Sequence, residues 1–437
     1  MILLWGCRCT DIRRLFGVLV VAMLACGTVQ QLPAHAETKI LPSASVQGLY
    51  SSNIYNRPKE LLEPGTEIGD FLSTVRGDVG LQHVTRDIDA SLQVGGSFNA
   101  YVENTNRNFA TMNVGGYADL DRWVDQYFRG ASLSVTETFR YTPEPPGFLT
   151  GVRDRPEDDT FFGGVQGFRA TSLINSTSVL GRYPVSRDIS LEGGYRFGLR
   201  HQGKIQGGDV PGVNYFDTMT HTLFGGPRYK LTRNDSVAAL YRYTFATQTR
   251  SDGGSREFST NIVSLAGEYH KDFPMWNFTV QGGMTLVEPG GRSFPSGTLR
   301  ITTRPEQDTV FFLQLVREGK VSFYLQGGAT INNRAMLGFS HKIYERLMLD
   351  GFVGYTFLEY LPDTRGEYKY ALARSRLSYK VTRNITASFL YIYSNTDNDT
   401  SSVQYQVSRH QVGFMLTTAW DLLAGDLGIG GGSGDGM

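Results

Sequence analysis

Cysteine is almost missing from this chain of 437 residues: Cys7, Cys9 and Cys26 are the only three, and all fall within the first 36 positions. From residue 37 onward there is no thiol, which excludes a disulfide framework, a thiolate metal site and cysteine redox chemistry. Net charge is absent too, with 42 basic and 42 acidic side chains. A nucleic-acid binder needs a basic excess to neutralise phosphates, so no nucleic-acid partner is expected. Nor does any apolar run beyond the N-terminal segment approach the roughly 18 residues that a membrane-spanning helix requires.

What is present begins with a secretory pattern. Arg13 and Arg14 precede the apolar run Leu15 to Ala25, and Ala34-His35-Ala36 supplies small residues for cleavage before Glu37, so residues 1–36 read as a signal peptide. A competing reading makes Cys26 a lipidated N-terminus, but Leu24 is bulky where lipoprotein signals carry something small.

Aromatic residues make up 12% of the chain and glycines number 51, a balance that fits strands with one apolar and one wet face. Alternation supports this. Ile88, Ala90, Leu92, Val94, Phe98, Ala100 and Val102 share one face, with Asp89, Ser91, Gln93, Ser97 and Asn99 on the other. Ile189 to Arg200 and Asn277 to Leu286 repeat the period of two. Such segments exceed the five or six residues usual in soluble sheets and match the roughly 9 to 11 that a bilayer demands of a strand. The fold class expected is all-β: a transmembrane antiparallel up-and-down β-barrel over residues 37–421, closed because lipid leaves no partner for an open edge.

Short and long connections alternate. Val84-Thr85-Arg86-Asp87, Val185-Ser186-Arg187-Asp188, Leu231-Thr232-Arg233-Asn234 and Val381-Thr382-Arg383-Asn384 repeat one turn sequence, with looser versions at Leu120-Asp121-Arg122 and Tyr344-Glu345-Arg346. Asp and Asn tolerate the left-handed backbone of tight hairpins, which is the expected role here. Longer stretches lie at Asn56 to Gly69, Tyr141 to Phe168, His201 to Tyr215 and Glu359 to Glu367. This arrangement gives about 18 strands with both termini on the short-turn, periplasmic side; losing the indistinct hairpin between Thr309 and Met336 would leave 16. The last strand, Gln404 to Trp420, ends on an aromatic residue, a signal of the kind read by the barrel-assembly machinery, and 422–437 reads as a flexible Gly-rich tail. Aromatics gather toward the far ends of the upward strands, at Tyr141, Tyr195, Tyr241, Tyr243, Tyr355 and Tyr391, as an interfacial girdle would.

No catalytic constellation stands out. The histidines from His83 to His410 are dispersed without metal-ligand spacing, the adjacent Asp158-Asp159 reads as a solvated loop pair, and Gly163-Gly164 and Gly225-Gly226 fit no phosphate-binding pattern. Neither an enzyme nor a cofactor is expected. The informative residues are those pointing inward. Alternation assigns Arg76, Arg140, Arg196, Arg200, Arg242, Arg300, Arg304, Arg374, Arg376 and Lys380 to the lumen, against Asp78, Asp89, Asp119, Glu192 and Asp350. A water-filled pore with that basic excess concentrates anions; alternatively these arginines pair with lumen acids and brace the wall. Glu137 shares the apolar phase of Leu133, Val135 and Phe139, which requires either a bulge or a position near the membrane interface. The 141–168 loop either folds into the mouth as a constriction or covers the outside.

At Ala44-Ser45-Val46 through Asn53-Ile54-Tyr55, and again at Phe139-Arg140-Tyr141-Thr142-Pro143-Glu144-Pro145-Pro146, the chain resembles the β-barrel porin type 2 family. That resemblance implies an outer-membrane barrel linked with exopolysaccharide gene clusters and a role in moving polysaccharide across the outer membrane; it carries over no catalytic residue. The expected function is a passive outer-membrane channel for an anionic polysaccharide. The alternatives are a general small-solute porin and a plugged structural or adhesive barrel. The expected partners are outer-membrane lipid, the barrel-assembly machinery and anionic solutes.

Overall fold

The repeated turn sequences are closed by their hydroxyl groups. In the computed structural model, Thr85 Oγ1 accepts the N–H groups of Asp87 and Ile88, Ser186 Oγ those of Asp188 and Ile189, Thr232 Oγ1 those of Asn234 and Asp235, and Thr382 Oγ1 those of Asn384 and Ile385. The side chain thus replaces a backbone acceptor. Among the described residues only Asn56 is a non-glycine with positive φ, so the Asp and Asn of these turns are not used for a left-handed backbone. The looser Leu120-Asp121-Arg122 is no tight turn at all. It opens a short helix, α1 (Asp121–Asp125), because Asp121 Oδ1 accepts Leu133 N–H at 2.8 Å and holds a longer connection against the next strand.

The structure describes residues 37–56, 58–62, 64–143, 170–205, 216–250, 257–306, 308–322, 328–361, 367–399 and 404–423. The signal segment 1–36, most of the 141–168 loop and residues 424–437 lie outside them. Eighteen long strands run in chain order: β1 (Glu37–Ser51), β2 (Asp70–Val84), β3 (Asp89–Tyr101), β4 (Phe109–Asp119), β5 (Ser132–Thr142), β6 (Ala170–Pro184), β7 (Ile189–Ile205), β8 (Phe216–Lys230), β9 (Asp235–Arg250), β10 (Glu257–Asp272), β11 (Trp276–Glu288), β12 (Arg292–Glu306), β13 (Thr309–Val321), β14 (Ala329–Tyr344), β15 (Leu347–Leu361), β16 (Glu367–Lys380), β17 (Ile385–Asp399) and β18 (Gln404–Ala419). Each pairs antiparallel with its neighbours, and β1 pairs with β18 from Ser43 opposite Ala419 to Ser51 opposite Gln411, which closes the barrel. The hairpin between Thr309 and Met336 is present, so the count is 18. A two-residue strand, β19 (Leu422–Leu423), pairs with Lys39 and Ile40, so the sheet runs two residues past the boundary drawn at 421.

The rim where β1 begins and β18 ends is here the near rim, and the opposite one the far rim. Outward residues change character along the strands. On β17, Phe389 and Tyr391 face outward between the near rim and mid-strand, followed on the same phase by Asn395, Asp397 and Asp399; on β18, Val412, Phe414 and Leu416 follow Gln404, Gln406 and Ser408. The apolar belt thus covers the near half, as a lipid-facing surface must, and the far half of the sheet stands beyond it. Tyr195, Tyr241, Tyr355 and Tyr391 are exposed at about mid-strand, because the strands continue well past the length that lipid requires. No helix among the described residues is long and apolar enough to cross a membrane.

Candidate functional site

Inside the belt the lumen holds a cavity of about 1480 Å³ that reaches the near-rim turn Glu345–Arg346. Among the described residues eight basic side chains line it, Arg76, Arg140, Arg196, Arg200, Lys342, Arg346, Arg376 and Lys380, against two acids, Asp78 and Glu345. The rest of the wall is mainly hydroxyl and amide, including Ser43, Ser45, Ser91, Gln93, Asn113, Thr136, Ser176 and Thr417. Low-dielectric walls around such a lining focus a positive potential into the water they enclose.

All fifteen residues assigned inward by alternation share the phase of the cavity wall, yet the structure brings only seven of them to it: Arg76, Asp78, Arg140, Arg196, Arg200, Arg376 and Lys380. Arg76 grips Asp78 with two bonds of 2.6 and 2.7 Å along one strand, and Arg376 reaches Asp350, its register partner on β15, at 3.0 Å. Asp89 and Asp119 stand opposite each other on β3 and β4, and Asp119 receives the N–H of Asp121 at the start of α1. Arg242 approaches Glu318 at 3.9 Å, Arg300 faces Gln314 across β12 and β13, and Arg304 lies exposed by the near rim. Arg374 is buried at mid-strand, opposite Ile392, at 8% exposure.

Glu192 belongs to a ladder that alternation did not single out. Arg228 donates to Glu192 at 2.8 Å and to Glu268 at 2.7 Å, Arg182 stands 3.6 Å from Glu192, and Arg228 also donates to Ser236. Arg182, Glu192, Arg228 and Glu268, from β6, β7, β8 and β10, thereby form one chain of alternating charges. This is the wall-bracing arrangement, which Arg376 and Asp350 repeat on β15 and β16, while Arg196 and Arg200 of the same strand as Glu192 line the cavity.

The far half is packed. Leu49, Tyr101, Met336, Leu358, Tyr368, Tyr370, Leu390, Ile392, Tyr405 and Val407 join Ile54 and Tyr55 of the 52–69 connection in one buried cluster. These strands, β14 to β18 and β1 to β3, are consecutive around the closed wall, so among the described residues the wet chamber has an apolar cover along that arc. Asp70, at the far-rim start of β2, fixes that connection region by accepting bonds from Phe71, Glu103 and Asn104.

Two outward features carry local chemistry. Glu137 faces the belt without any register shift in its pairing with β4 or β6, so no bulge relieves it. It is instead bonded to Asn175 and Thr177 of β6, which replace water as its donors. Just beyond the belt, His201 of β7 bonds Asp217 of β8 at 2.6 Å. That hydrogen bond, aided by the carboxylate's charge, holds the His201 imidazole above its ordinary pKa against the opposing effect of burial. Because the folded value is raised, the tie is complete below the unfolded pKa and is lost as pH climbs through the folded one. Replacing Asp217 by Asn is expected to bring the His201 titration midpoint down, read from its ring resonances; an unchanged midpoint would dismiss the pair as the cause.

No family model matches the chain, and no curated protein matches it. Among solved structures it is similar to the ferric enterobactin receptor PfeA of Pseudomonas aeruginosa, at 9% identity over 88% of this chain and 81% of that one, with a TM-score of 0.46. It is also similar to OccAB3 of Acinetobacter baumannii, at 10% identity over 89% of this chain and 100% of that one, TM-score 0.43. The third likeness is to OccK2 (OpdF) of Pseudomonas aeruginosa in complex with glucuronate, at 10% identity over 90% of this chain and 100% of that one, TM-score 0.43.

Proposed function

We propose that the chain is an outer-membrane channel that favours anions, with its near rim in the periplasm, and that its cargo is an acidic exopolysaccharide on its way out. The observation behind this reading is the chamber lining of eight basic and two acidic side chains. Many cationic groups spread over a wide wet wall give weak, repeated contacts, which let a polyanion enter without trapping it. The chamber reaches the rim that carries the termini and short turns, the periplasmic side in barrels of this design. Lipid surrounds the apolar belt, and the barrel-assembly machinery inserts the closed sheet.

The test is current block. With the refolded barrel in a planar bilayer, oligomers of a uronic acid added on the near-rim side interrupt ion current, and neutral glucose oligomers of equal length do not. Equal block by both would remove the charge-based cargo reading and leave a general small-solute channel. A second reading draws on the packed far half: a plugged barrel that presents its far rim to partners. It requires that the barrel carry no current in any state.

A further inference from the structure

Three of the short near-rim turns are built alike. In 185–189, 231–235 and 381–385 the first N–H donates to the carbonyl four residues on, at 2.9, 3.0 and 2.9 Å, and the hydroxyl of Ser186, Thr232 or Thr382 accepts two more N–H groups. Arg187, Arg233 and Arg383 stand at the three tips. Their side chains are exposed, and among the described residues none of them makes an ion pair or a side-chain hydrogen bond. The turns close without them.

The wall above each tip repeats as well. Val185, Leu231 and Val381 open the turns on the outward phase at 56%, 50% and 44% exposure, and two residues before them stand Tyr183, Tyr229 and Tyr379, each half-exposed. Aliphatic side chains so placed carry the apolar belt down to the last position of the wall, so each tip begins where the lipid tails end. In the fourth related turn, 84–87, the closing bond spans only three residues, from Thr85 to Ile88, and Gln82 takes the tyrosine's place. Tryptophan marks the same level. Trp123, Trp276 and Trp420, every tryptophan after residue 36, are exposed at the near rim. Trp123 meets Tyr127 edge-on and Phe128 meets Tyr183 likewise, which continues the row of aromatics across the α1 connection. Indole and phenol rings gather where acyl chains give way to headgroups.

We infer that these three turns are binding sites for the phosphate of acidic phospholipids in the leaflet at the near rim. Two residues of extended chain advance about 7 Å, so tyrosine, aliphatic residue and arginine step from the acyl tails to the level of the phosphates. A guanidinium there can offer a phosphate two parallel N–H donors, and one basic group at such a surface favours an acidic over a neutral lipid by about fivefold. Capture of a polyanion for the lumen would call for arginines on the inward phase, beside Lys342 and Lys380 of the chamber; these three adjoin outward apolar residues instead. The inference concerns the surrounding lipid and stands apart from what the channel carries.

Native mass spectrometry of the refolded full chain, taken from vesicles of phosphatidylethanolamine and phosphatidylglycerol in equal parts, reads the lipid that stays bound. The unaltered barrel is expected to retain phosphatidylglycerol over phosphatidylethanolamine by about fivefold. With Arg187→Gln, Arg233→Gln and Arg383→Gln combined, the two lipids are held alike, whereas Arg304→Gln, at the near rim but on the inward phase, leaves the preference intact. Each single glutamine substitution at a tip releases one phosphatidylglycerol, which keeps the test decisive if the triple variant does not fold. Equal preference in the unaltered and tip variants would overturn the inference. So would displacement of the lipid from the unaltered barrel by uronic acid oligomers, which would give the turns to the cargo and leave the channel reading in place.

Discussion

Neutralising Arg196, Arg200, Arg376 and Lys380 together, each to Gln, lowers the anion-to-cation permeability ratio by a factor of about three to ten, and reversing the same four to Glu inverts the preference. These four are half of the eight basic groups that line the chamber, and their loss leaves Arg76, Arg140, Lys342 and Arg346 facing Asp78 and Glu345. Arg76 is already committed to Asp78, so the remaining field is weaker than the count suggests. The effect shrinks with salt, because at molar ionic strength the screening length falls to about 3 Å, well inside a cavity of this width. Reversal potentials under a KCl gradient, taken at low and high total salt, read both results. Unchanged selectivity in folded, inserted variants would mean that the permeant ions do not pass these side chains.

Removing Arg228 has the second large effect, on stability. Its side chain is 18% exposed and serves Glu192 and Glu268, themselves 28% and 15% exposed. Arg228→Met therefore takes its guanidinium from Glu268 and leaves Glu192 with Arg182 at 3.6 Å, where deleting one partner of a fully buried pair costs about 3 to 5 kcal/mol. Water in the lumen reaches part of this ladder, so about 2 to 3 kcal/mol is expected, seen as a lower urea midpoint at constant slope in lipid vesicles. Adding Glu268→Gln to that background returns part of the loss, since it removes the charge that Arg228 had served there. A change within about 0.5 kcal/mol would show that the ladder is held by solvent rather than by the guanidinium.

The barrel was legible wherever lipid faced water across the sheet. Along β3, Val94 and Phe98 face out and Asn99 and Tyr101 face in, and the alternation of residue types reports it directly. It fails where that contrast disappears. On the β13–β14 hairpin, Val321 and Ile331 lie against the lumen wall while Asn332 and Arg334 are buried on the opposite phase. From Arg317 to Val321 both faces are partly covered alike, so the sequence there shows no clean period. For the same reason Tyr368, Tyr370 and Tyr405 turn inward: their strand ends lie beyond the apolar belt, where no lipid draws an aromatic outward. Arg228 was hidden by Phe224, Gly226 and Pro227, which break the hydroxyl alternation of Thr218, Thr220 and Thr222 before it. The inward phase of the charged residues could be read from spacing. Which of them share the chamber could not, because that depends on how far each strand slides past the next and on the far half being packed.

One recording bears most directly on the chamber as an anion-favouring passage: the reversal potential of the unaltered barrel in a planar bilayer under a KCl gradient at low total salt. A basic chamber on the conduction path places it toward the chloride equilibrium potential, in stable steps. A reversal potential toward the potassium equilibrium potential, or a folded and inserted barrel that stays silent, would contradict it.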